Sequence, residues 1–103
     1  MMAAVSLDHG LILAAILFVI GFVGLLTRRN LIVALACIEI MLNAAGLAFV
    51  VAGARWGRPD GQVMFLFVLA MAAAEVAVGL ALAIRFRQSL GRLDIDAADE
   101  MRG

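Results

Sequence analysis

The sequence has one cysteine, one proline, one tryptophan, one histidine and no lysine in 103 residues. Each scarcity removes a class of explanation. The single cysteine, Cys37, lies inside an apolar run, so a disulfide framework and a cysteine-based metal site are both excluded within one chain. His9 cannot build a metal site alone and is expected near a membrane interface. Basic and acidic residues number eight each, and the basic ones are all Arg, so no basic field exists to hold nucleic acid. Neither a glycine-rich phosphate loop nor a haem motif nor a nucleophile elbow is present. By itself the chain does not read as a complete enzyme.

What the chain has in excess is apolar surface. Hydrophobic residues make up 66% and the mean hydropathy is +1.12, whereas an ordinary soluble domain is about 45–50% apolar. There is too little polar surface here to cover a globule in water, so the solvent must be partly lipid. A membrane-spanning helix needs about 20 mainly apolar residues. Three runs meet that length, at about 7–26, 31–51 and 63–84. The fold class expected is therefore an all-α membrane protein with three transmembrane helices, forming one domain over 1–87, with a short polar tail over 88–103. No Arg or Lys precedes the first run and Asp8 sits at its edge, so this run is expected to be a retained helix and not a signal peptide.

The connections TRRN (27–30) and GARWGRPDGQ (53–62) are short, which makes neighbouring helices antiparallel. Pro59 with Asp60 and Gly61 is a turn signal, and Trp56 fits an interfacial belt. Arg28 and Arg29 in the first loop fall on the same side as Arg85, Arg87 and Arg92 after the third span. Only Arg55 and Arg58 mark the other side. The excess predicts a cytoplasmic first loop and tail with a periplasmic N-terminus. The tail, with Asp94, Asp96, Asp99 and Glu100, is expected to be a cytoplasmic extension lying on a neighbour or partly disordered, or else a solvated tail with no role.

The informative residues are Glu39 and Glu75, each deep in an otherwise uncharged span. A charge at a helix centre costs about 2.5–3.5 kcal/mol on insertion scales, so both need a reason. At about 1.5 Å per residue, Glu39 lies roughly 12 Å inside the cytoplasmic end of its run and Glu75 roughly 13–14 Å inside the same boundary. With a hydrocarbon core about 30 Å thick, both sit near mid-membrane at nearly equal height. Asn43 shares a helix face with Glu39 and could bond its carboxyl or a neighbouring helix. Met71, Gly79 and Ala83 lie along the helix face of Glu75, and Ala73, Ala77 and Ala81 flank it, small residues that let helices pack closely. Two carboxyls at one depth, linked by water, could pass protons laterally. The alternative is hydrogen-bonded helix glue, which the pattern favours less. Arg28 and Arg29 are read as inside anchors, or as supports for a partner's loop or for the relay entrance. Cys37 reads as a small hydrophobe, the methionines as packing, and Gly21 and Gly24 as sites of close helix contact.

The segments HGLILAAILFVIG, TRRN, IEIMLNA around Glu39 and AAAEVAVGLAL around Glu75 give the chain, over essentially its whole length, a resemblance to subunit K of bacterial NADH-quinone oxidoreductase, respiratory complex I. The mitochondrial counterpart is the 4L subunit. The tail ending DEMRG is also similar to some bacterial members. Gly46 departs from the pattern, since many members carry a polar residue there.

The resemblance implies an inner-membrane subunit between the quinone-proximal region and the antiporter-like subunits, with those subunits and the lipid bilayer as partners. It implies that Glu39 and Glu75 belong to a chain of buried polar residues that couples quinone reduction to proton pumping, with Arg28 and Arg29 in support. NADH, FMN, iron–sulfur clusters and quinone are implied in partner subunits, with no cofactor in this chain. Two other functions fit the three-helix plan. One is the small subunit of a multi-subunit cation/proton antiporter, and the other is a purely structural assembly subunit.

Overall fold

The computed structural model describes residues 6–91 and 93–96. Arg92, Asp99, Glu100 and the DEMRG ending lie outside the described residues. Three helices form: α1 (Leu7–Thr27), α2 (Leu31–Arg55) and α3 (Asp60–Leu90). All three are long and apolar enough to cross a membrane, as an all-α membrane protein requires.

Both α2 and α3 run past their apolar stretches, because caps set the helix ends and hydropathy does not. Ser6 opens α1, its side chain accepting from the His9 N–H at 3.1 Å. Asn30 opens α2, its Oδ1 accepting from the N–H groups of Ile32 and Val33 at 2.9 and 3.2 Å. These caps satisfy donors that a helix start otherwise leaves unbonded. Gly91 closes α3 in the left-handed region, at φ 76°, its N–H bonding the Arg87 carbonyl at 2.7 Å. A residue without Cβ suits that conformation.

The expected turn at Pro59, Asp60 and Gly61 is split. Pro59 is the N-cap of α3, and Asp60 and Gly61 belong to its first turn. Proline's fixed φ and missing N–H suit a helix start. The reversal falls earlier, at Gly57 with φ 62°, and the Arg58 N–H bonds back to the Gly53 carbonyl at 2.9 Å. Around this turn the Arg55 guanidinium lies 5.7 Å over the Trp56 ring and Arg58 pairs with Asp60 at 2.7 Å.

The middle helix carries the other two. Against α1, Gly10 meets Val51, Gly21 meets the Cys37 carbonyl and Met41, and Gly24 meets the Cys37 thiol. Cys37 is buried in that seam as a small apolar filler. Against α3, Gly46 meets Phe65 and Val68, Gly79 meets Leu35, and Gly53 meets Gly61. Lipid gives helices little hydrophobic reason to associate, so close packing over small residues holds them together. The remaining surface is apolar, with Ile12, Val19, Ile20, Leu66, Phe67 and Leu82 among its exposed side chains. Such a surface faces lipid or partner helices.

The tightest approach is at Gly61, where an added Cβ would overlap the Phe49 carbonyl oxygen. Backbone cannot step aside as a side chain can. Gly61→Ala is therefore expected to splay α2 from α3 at a cost of about 1–3 kcal/mol. Gly57→Ala meets no atoms within 4 Å and bears only the strain of its positive φ. The amount of subunit retained in membranes checks this, with Gly61→Ala the more depleted of the two.

Candidate functional site in the seam between α2 and α3

The two carboxylates meet the structure differently. Glu39 shares its helix face with Leu35 and Gly46, four residues before it and seven after, and both of those touch α3. That face turns Glu39 toward α3. The residue is half-buried, and its Oε1 is buried with no hydrogen-bond partner. An unsatisfied buried acceptor costs about 1–3 kcal/mol, more when charged. Glu75 is exposed in this chain. It lines a groove of about 450 Å³ together with Leu35 and Ile38 of α2 and Val78, Gly79 and Leu82 of α3. The groove wall is apolar apart from that carboxylate.

The register of the antiparallel pair sets their relative height. Leu35 opposes Gly79. Four residues on from Leu35 is Glu39, and four residues before Gly79 is Glu75. In antiparallel helices these two steps run the same way along the membrane normal, so both carboxylates reach one level of the seam. The contacts of Gly46 with Phe65 and Val68, further along, keep the same register.

Asn43 is exposed and leaves Glu39 Oε1 without a bond. Helical spacing puts the two on one side of α2, but Asn43 lies further round from α3. Gly46 is buried where the Phe65 ring fills the space beside it, which accounts for the lack of a side chain there. Ala73, Ala77 and Ala81 are exposed, while Ala72 and Ala83 pack inward. The small-residue stripe beside Glu75 is therefore an outer face of this chain.

Arg28 and Arg29 lie at the end of the bundle that also holds the tail. Both are exposed. Arg29 pairs with Asp96 at 3.0 Å. The only signal the sequence carries for Asp94 and Asp96 is charge in a polar tail. Among the described residues, no three of His, Cys, Asp and Glu gather as a metal site would require.

These features define a class: a multi-pass membrane subunit with two acidic side chains at one level of a helix seam. The chain belongs to the NADH-ubiquinone/plastoquinone oxidoreductase chain 4L family, whose profile matches residues 9–103. It is 58% identical over 102 residues to NADH-quinone oxidoreductase subunit K of Pseudomonas aeruginosa, covering 99% of this chain and 100% of that protein. To the subunit K of Nitrosospira multiformis it is 62% identical over the same shares of each chain. That of Pseudomonas fluorescens is 58% identical, again over 99% and 100%. The chain is thus a subunit of an enzyme complex, and its partners include other subunits of complex I.

Gly79 sits where the seam and the groove meet. A Cβ there would come 2.9 Å from Leu35 Cδ1, the movable end of a side chain. Gly79→Ala is expected to assemble and work nearly normally. Gly79→Leu should drive Leu35 aside, separate the helices at the carboxylate level and reduce NADH-driven quinone reduction per assembled complex several-fold. Activity normalised to complex content in membranes checks both.

Proposed function

We propose that Glu39 and Glu75 are linked members of a proton relay that couples quinone reduction to proton translocation in the membrane arm of complex I. The single observation behind this is the buried, unpartnered Oε1 of Glu39 in the α2–α3 seam, at the level the register gives Glu75. An acid held there without a bond is a costly piece of glue. It is suited to a group whose partner is a proton or a transient water. The line from Glu39 to Glu75 runs along the membrane plane, so the transfer is lateral. Glu75, open to the groove, hands the proton on toward a neighbouring subunit whose helix covers the alanine stripe. That neighbour belongs to the quinone-proximal or the antiporter-like subunits.

In this scheme the chain binds no redox group of its own, and NADH, FMN, iron–sulfur clusters and quinone act in partner subunits. Arg28 and Arg29 support the relay from the cytoplasmic end, and Asn43 supports a neighbouring helix. The first loop and the tail meet at one end of the bundle. That end carries Arg28, Arg29, Arg85 and Arg87, against Arg55 and Arg58 at the other. By the positive-inside rule the arginine-rich end is cytoplasmic and the N-terminus periplasmic, in a bacterial inner membrane.

Glu→Gln keeps the shape and much of the hydrogen bonding but cannot exchange a proton, so it separates relay from glue. Glu39→Gln is expected to assemble, with quinone reduction and proton pumping both severely reduced, because a tightly coupled pump stalls when its proton path is blocked. Asn43→Glu in that background moves the acid about one turn, roughly 6 Å along the axis, and should restore part of the pumping. Dye-monitored membrane potential per assembled complex is the measurement. Normal pumping in Glu39→Gln leaves the relay untenable and favours a structural role.

A further inference from the structure

We propose that residues 93–96 strap the first loop to the end of α3, and that Asp96 is a positioning residue for the relay, acting through Arg29 on the start of α2. The activity arm of the test rests on the relay described above, and the structural arm does not.

The strap is a short antiparallel pairing. Asn30 and Asp94 face each other in a bridge. On either side, the Leu31 N–H donates to the Leu93 carbonyl and the Ile95 N–H to the Arg29 carbonyl, each at 2.8 Å. These bonds complete the helix start. The first four N–H groups of an α-helix have no partner within the helix unless a cap supplies one. In α2 the Asn30 side chain takes those of Ile32 and Val33, and the Asn30 carbonyl takes that of Ala34 at 2.9 Å. The Leu31 N–H is left over, and the tail supplies its acceptor.

Asp96 closes the strap. Asp94 Oδ1 accepts from the Asp96 N–H at 2.9 Å, a local turn that aims the Asp96 carboxylate at Arg29. The ion pair is 3.0 Å long, but its side chains are 71% and 59% exposed. An exposed pair of this kind shifts an equilibrium by no more than about five-fold. The backbone bonds therefore hold the strap, and the ion pair biases it. The neighbouring arginine has a different position. Arg28 is the C-cap of α1, its backbone N–H bonding Gly24, and its side chain forms no ion pair among the described residues. The two loop arginines are thus unequal, Arg29 committed to its own tail and Arg28 not. The strap ties the ends of α2 and α3 together, and these are the helices that carry Glu39 and Glu75.

The test uses the assembled complex in native membranes. Leu31→Cys with Leu93→Cys keeps the Asn30 cap and the Asp94 turn and places thiols on the rung beside the bridge, where Cα atoms should be about 5.5 Å apart, within disulfide reach. Cys37 is buried in the other seam and does not compete. Mild oxidation should cross-link the pair. Adding Arg29→Asp or Asp96→Arg should lower the cross-linking rate about two- to five-fold, and the two together should restore it. Without the cysteines, each reversal should lower quinone reduction per assembled complex, and the charge swap should recover it. Arg28→Asp should not be rescued by Asp96→Arg. No cross-link, or equal rescue of Arg28→Asp, overturns the strap. A cross-link that follows the charges while activity ignores them overturns the positioning role. Failure of the relay alone would show as normal pumping in Glu39→Gln with the cross-linking unchanged.

Discussion

Close packing of α2 against α3 over glycine is the constraint on which the rest depends. Gly53 and Gly61 bring the two backbones together at one end, and Gly46 and Gly79 each receive a large side chain from the opposite helix. These four contacts admit one register. A slip by a single residue would drive Phe65 or Leu35 into a position that has a Cβ. Because the register is fixed, the levels of Glu39 and Glu75 are fixed with it, and neither carboxylate needs a bond to the other to hold its height. The α1–α2 seam uses the same device on the opposite face of α2, with Gly10, Gly21 and Gly24, and so keeps the middle helix from rotating.

Energetics explain why the acids sit where they do. In the α2–α3 seam a carboxyl is removed from lipid, where an ionised form would be most costly. Glu39 gains that shelter from its own chain, at the expense of an unsatisfied oxygen. Glu75 has only half a shelter, since its groove is open on one side. A helix from another subunit would complete it. In the proposed relay, this chain supplies one wall of the site and a partner helix the other.

Much of this was legible in the sequence. Apolar runs of membrane length gave three helices, because lipid forces backbone groups to bond within a segment. The equal level of Glu39 and Glu75 along the α2–α3 pair followed from residue counting. Gly21 and Gly24 were readable as contact points. What stayed hidden has physical reasons. Asn43 shares a side of α2 with Glu39, but spacing alone cannot say which part of that side meets α3. The α3 ends at Asp60 and Leu90 lie beyond the apolar run because capping by Pro59 and Gly91 sets them. The strap joins two polar segments far apart in the chain through backbone bonds, and such pairing leaves no periodic trace. The pairing of residues 93–96 with the chain's own first loop is one such contact, and the charges of the tail alone do not reveal it.

The central claim is that Glu39 and Glu75 exchange protons as one coupled unit. Infrared difference spectra of the complex, taken between resting and turning-over states, observe this directly through the carboxyl C=O band. A band that disappears in Glu39→Gln and shifts in Glu75→Gln is the result expected of coupled groups. A spectrum in which neither substitution alters any carboxyl band, or in which the Glu39 band ignores Glu75→Gln, would contradict the claim.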